Sequence, residues 1–134
     1  MIAVDTNVLV RLLVDEPSQP AQVRAARNLA TEAGAVHVPV VVLVETVWVL
    51  ESAYHVDKPQ VLSALKHLLS NEAYQLETSQ RCGEAVSLFA ANNADFSDCL
   101  ILAGCRSLGM TLHSFDKRLA RLNGAQRVEM PTTD

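Results

Sequence analysis

The chain has 134 residues, about one domain's worth. Apolar residues make up 49% and charged residues 19%, which excludes a disordered chain and gives enough material for a core without staples. The net charge of −4 excludes a protein held to nucleic acid by bulk positive charge, but not one that grips it through a local basic rim.

Cys82, Cys99 and Cys105 form no CxxC pair and are odd in number, so reduced thiols of a cytoplasmic protein are expected. His37, His55, His67 and His113 lie too far apart for zinc-ligand spacing. No membrane segment is expected, since the longest strictly apolar run, Val40 to Val44, is five residues against about 20 needed. The N-terminus lacks a basic start, and Asp5 interrupts its apolar stretch, so it does not read as a signal peptide.

In chain order, Ile2-Ala3-Val4 reads as a short buried strand. It runs into Asp5-Thr6-Asn7, a turn with capping chemistry, and a helix over Val8 to Val14. Pro20 to Ala33 is helical with Val23, Ala26 and Ala30 on one face, and Gly34 stops it. Val36 to Val38 is a strand, and Pro39 opens a helix to about Tyr54. Asp57 with Gln60 resembles a capping box for a helix carrying Val61, Leu62, Leu65, Leu68 and Leu69. Tyr74 to Leu76 is a weak strand. Thr78 or Ser79 caps a helix striped by Cys82, Ala85, Val86 and Phe89. Asp95 or Ser97 opens a helix to Leu108, Met110 to His113 is a fourth strand, Asp116 to Leu122 a short helix, and Arg127 to Glu129 an edge strand. Strands alternating with helices imply an α/β fold with a short, mainly parallel central sheet covered on both faces. In such folds chemistry collects just after the strands, at their carboxyl ends.

Asp5 follows the first strand and Asp116 the fourth, while Asp98 lies in the first turn of the helix before the fourth strand. Each also has a plain reading: Asp5 and Asp116 as helix caps, and Asp98 as an acid favoured by the helix dipole, with Asp95 as the cap. Glu45 sits in a helix apolar nearly all round, with no Lys or Arg between Gly34 and His55. Burial is therefore expected for it, at a cost of several kcal/mol unless a cation compensates. Clustered carboxylates call for a neutralising ion, and oxygen-only ligands favour Mg²⁺ or Mn²⁺. Ions held this way activate water for phosphodiester hydrolysis.

Ile2-Ala3-Val4-Asp5-Thr6-Asn7-Val8-Leu9 resembles the opening of PIN-domain ribonucleases, above all the VapC-type toxins of toxin–antitoxin pairs. Glu45 in its apolar helix, Ala94-Asp95-Phe96-Ser97-Asp98, and Ser114-Phe115-Asp116-Lys117-Arg118-Leu119 resemble the later family motifs in order, from Met1 to about Val128. The resemblance implies one PIN-like domain over 1–130 with a short tail at 131–134, built as a three-layer α/β/α sandwich. It implies a metal-dependent endoribonuclease with catalytic acids Asp5, Glu45, Asp98 and Asp116. Of these, Asp5, Asp98 and Asp116 would hold Mg²⁺ or Mn²⁺, and Asn7 and Ser114 would support them by hydrogen bonding. Asp98 is favoured over Asp95 as the motif's acid. An RNA substrate, a small antitoxin partner, a homodimer and a cytoplasmic location are also implied.

Trp48 and its neighbouring valines read as core or as a face for a partner. Arg11, Arg81, Arg106, Lys117, Arg118 and Arg121 are candidates for steering RNA phosphates, each weighed against a plain solvated charge. Aspartyl phosphatases of the haloacid-dehalogenase type need a second acid where Asn7 stands. Receiver domains need an Asp after the third strand, where Glu77 stands, and no GxxxxGK[ST] loop is present. A catalytically silent PIN scaffold that binds protein or RNA is the alternative from another class.

Overall fold

The computed structural model describes residues 1–132. Of the expected tail, 133 and 134 lie outside the described residues. The chain forms two compact units, Met1–Ser79 and Gln80–Asp134.

In the first unit, β1 (Ile2–Ala3), β2 (Val36–Val38) and β3 (Tyr74–Leu76) form a parallel sheet in the order β1-β2-β3. The register pairs Ile2 with Val36 and His37 with Gln75. A pair of helices joins each strand to the next: α1 (Thr6–Leu13) and α2 (Pro20–Ala33), then α3 (Val40–Ser52) and α4 (Lys58–Ser70). Parallel neighbours require such crossovers. Local chemistry sets the helix ends. Asp57 accepts the Gln60 N–H at 3.1 Å to start α4. Gly34, at φ +76°, ends α2 in a conformation that other residues adopt only at a cost. Leu9, Val36, Val38, Leu43, Val61, Leu65 and Leu68 are buried in the core of this unit.

The second unit holds α5 (Ser79–Ala91), α6 (Phe96–Ser107), β4 (Leu112–Ser114), α7 (Lys117–Ala120) and β5 (Ala125–Arg127). β4 and β5 pair in parallel, Ser114 opposite Arg127. Cys82, Ala85, Val86 and Phe89, the expected stripe of α5, are all buried, and Phe89 meets Phe96 edge to face at 5.8 Å. Cys82 and Cys99 are buried and Cys105 half-buried, all three as free thiols.

The α/β class is as expected, with parallel pairing at each of the strand contacts. Several boundaries move by one or two residues, among them two strands. The fourth strand starts at Leu112 rather than Met110, and the last lies at Ala125–Arg127 rather than Arg127–Glu129. The reason is tertiary: Gly124 O accepts the Leu112 N–H at 2.9 Å, which places pairing one step after the Asn123-Gly124 turn.

One expectation is overturned. Helix α3 is not buried all round: Leu43, Thr46, Val47 and Leu50 face inward, whereas Val41, Glu45 and Trp48 are exposed, Trp48 by 67%. Hydrophobic composition without a polar stripe implies burial on every face. The packing of α1 against α3 covers only one side of it.

No helix among the described residues is long and apolar enough to cross a membrane.

Candidate active site

Asp5 stands two residues beyond β1 as the N-cap of α1. Its Oδ1 accepts the Val8 N–H at 3.1 Å. That bond satisfies one of the N–H groups a helix start leaves open, and it holds the carboxylate still. Oδ2 takes no part in the cap, so capping and ligation are compatible roles for this side chain. Asn7 lies in the first turn of α1 and shares with Asp5 the lining of a cavity of about 470 Å³ in the first unit. Glu45 does not line that cavity. It is exposed on α3, so the argument that burial forces a cation upon it does not hold.

In the second unit Asp116 is the N-cap of α7. Its Oδ1 accepts the Arg118 N–H at 2.8 Å and the Leu119 N–H at 3.2 Å. These backbone donors, Leu119 first, then Arg118, and next the Arg118 guanidinium, hold its carboxyl below the ordinary range. Ser114 Oγ in turn accepts the Asp116 N–H at 3.0 Å.

Asp98, in the first turn of α6, is half-buried. Burial, followed by the negative charges of Asp95 and Asp116, pushes its carboxyl above the ordinary range. Asp95 occupies the N-cap position of α6 without making a side-chain cap bond. The second unit thus brings Asp95 and Asp116 each within electrostatic range of Asp98. Asp98 makes no ion pair among the described residues, whose salt bridges join Arg27 to Asp15 and Arg106 to Glu84.

Uncompensated carboxylate oxygens of this kind fit a hard divalent cation. Among the described residues, no three Asp, Glu, His or Cys side chains stand close enough to hold one as they are.

Four of the six candidate RNA-steering cations fall into two groups. Arg106 is a clamp: it donates to Asn123 O through Nε, at 2.8 Å, and through Nη2, and to Glu84 Oε1 at 3.4 Å. Arg81 is tied to Ser107 Oγ at 3.2 Å. Lys117 and Arg121, by contrast, share a hollow of about 170 Å³ with Arg127, and no acid lines it. Arg127 joins them through strand pairing, which sequence spacing alone does not reveal.

The PIN domain family model matches residues 2–125. This chain belongs to the PIN-domain family. It is also 25% identical over 124 residues to a VapC ribonuclease from Aquifex aeolicus (strain VF5), a match covering 91% of this chain and 92% of the relative. The match to the PIN domain spans every one of the site residues expected from sequence, from Asp5 to Asp116.

Proposed function

We propose that this PIN domain is an endoribonuclease that hydrolyses RNA phosphodiester bonds, acting as the toxin of a toxin–antitoxin pair. The observation that carries the reading is Asp98, a half-buried carboxyl held against Asp95 and Asp116 without a cation partner among the described residues. Charge of that kind is retained where a site needs it. The VapC ribonuclease relative supports RNA as the substrate; the antitoxin partner rests on the resemblance of the motifs to VapC-type toxins.

By motif position, Asp5, Asp98 and Asp116 are the oxygen ligands, and Glu45 is the fourth catalytic acid. A bound Mg²⁺ or Mn²⁺ would supply Lewis-acid activation of water and would neutralise charge on the phosphate. The chain's own part is to hold ligands in place. Asp5 is pinned by its cap bond to Val8, and Asp116 by Arg118, Leu119 and Ser114. Asn7 supports Asp5 from the same turn. Lys117, Arg121 and Arg127 supply a local phosphate contact on a protein whose net charge is negative. We place the activity in the cytoplasm, in keeping with three free thiols, and in a homodimer whose single nuclease domain spans 1–130.

The test is cleavage of a mixed RNA pool with Mn²⁺ or Mg²⁺, wild type against Asp98→Asn, each shown folded by circular dichroism. Cleavage that requires the ion and is lost in the variant is the expected result. RNA binding without cleavage in the wild type would assign the chain to the silent scaffolds.

A further inference from the structure

Phe115 stands between Ser114 and Asp116, just past the carboxyl end of β4, and it is 66% exposed. Its neighbours along the chain are polar or charged: Ser114 before it, and Asp116, Lys117 and Arg118 after it. A surface that docks a protein by hydrophobic contact is marked by a contiguous apolar patch. A lone ring set among cations has another use. Single-strand sites pair an aromatic face, on which a base stacks, with positive side chains that follow the backbone.

The cations stand at the same edge of the second unit. Lys117 is two residues beyond Phe115, at most about 7 Å along the chain. Arg127 lies opposite Ser114 in the β4–β5 register, and the Val128 N–H donates to Ser114 O at 2.9 Å, so the end of β5 runs alongside the start of the Phe115 segment. Lys117, Arg121 and Arg127 line the hollow of about 170 Å³, and no acid is among its lining residues. Asp116, between Phe115 and Lys117, is one of the oxygen ligands proposed above.

We propose that Phe115 is a stacking platform for one unpaired base of the RNA substrate, with a neighbouring phosphate held at Lys117, Arg121 and Arg127. The proposal rests on the ribonuclease reading above and deepens it by naming single-stranded RNA as the substrate class. A base inside a duplex has both faces covered by its neighbours, whereas a base in a loop or a free strand can be splayed onto a ring. Every base has a π-face, so this contact selects for strandedness and not for sequence. The phosphate supplies the negative charge that the lining of the hollow lacks.

The experiment follows fluorescence anisotropy of a short labelled RNA of mixed sequence, single-stranded and in duplex, with the full chain in EDTA at low salt. The wild type is expected to prefer the single strand. Phe115→Ala is expected to weaken single-strand binding roughly five-fold or more, the lower end for one stacked base, and to leave duplex binding unchanged. Phe115→Tyr keeps a ring and is expected to stay within about two-fold of the wild type, whereas Phe115→Leu, apolar without a ring face, is expected to lose as much as Phe115→Ala. The position is exposed, and circular dichroism checks that each variant is folded. Unchanged single-strand binding by Phe115→Ala overturns the proposal and assigns the ring to a protein partner. Wild-type binding by Phe115→Leu, a preference for duplex, or no binding of either form by the wild type overturns it as well. No cleavage enters this measurement, so it fails separately from the ribonuclease reading, which Asp98→Asn tests.

Discussion

Glu77, the residue after β3, accepts the Val40 N–H through Oε1 at 2.7 Å and so closes the N-terminus of α3. Helix α3 needs this because its N-cap is Pro39, which has no side-chain acceptor. The Glu77 N–H also donates to Val38 O at 2.9 Å, so one residue ties the end of β3 both to β2 and to the helix that follows β2.

Glu77→Ala is expected to destabilise the protein by about 1 kcal/mol, the usual loss for a helix cap, seen as a melting temperature lower by roughly 3–5 °C. Glu77→Gln keeps an acceptor and is expected to recover most of the loss. An unchanged melt in Glu77→Ala would mean that water replaces the cap at no cost.

Thr46 is 1% exposed, and its Oγ1 has no hydrogen-bond partner among the described residues. A buried hydroxyl without a partner is a penalty that a methyl group of similar shape removes. Thr46→Val is therefore expected to stabilise by about 1 kcal/mol in denaturant unfolding. Destabilisation would show that the hydroxyl is satisfied in solution.

At Asp98 stability and function are expected to oppose each other. A carboxyl whose folded pKa lies above its unfolded value binds protons more readily when folded, so its ionisation destabilises the fold as pH rises through that range. Asp98→Asn removes the repulsion from Asp95 and Asp116. In EDTA at pH 7 the variant is expected to melt at or above the wild-type temperature, while with Mn²⁺ or Mg²⁺ present its RNA cleavage is expected to fall roughly 10- to 100-fold, the usual loss when a group of a metal site is removed. A variant that melts lower would show that Asp98 is stabilised by its surroundings instead.

Asp116 runs the other way. Its folded pKa is lowered, first by the Leu119 and Arg118 N–H groups, so the unfolded chain binds more protons and stability rises with pH in the acid range. Asp116→Asn keeps a capping acceptor but has no charge. The melting-temperature gap between wild type and variant is expected to hold from pH 7 down to about 4, then close as pH falls below the ordinary carboxylate value of about 3.9. Differential scanning fluorimetry in EDTA across this range reads it directly, and a gap that widens in acid would reverse the assigned sign.

Much of the site was legible before any coordinates. Asp5 and Asp116 follow strands and precede helices, and both prove to be caps by Oδ1 with Oδ2 outside the cap bond. Capping and metal ligation are not rival roles, since one carboxylate has two oxygens and can serve both. The burial expected of Glu45 fails because a helix built from Val, Leu and Trp carries no polar stripe to mark its wet side. Glu77 went unassigned as a cap although it follows a strand just as Asp5 does, since its partner Val40 lies 37 residues earlier.

The sequence by itself determined the order and type of the elements, because caps, glycine stops and apolar periodicity act over three or four residues. It also determined which acids stand at element ends. Only the tertiary structure decided that Val41, Glu45 and Trp48 face outward, that Arg11 is locked by Gln22 and Tyr54, and that Arg127 joins Lys117 and Arg121. Each of those depends on which remote segment packs alongside, and exposure, anchoring and charge clustering are properties of neighbours rather than of the residue alone.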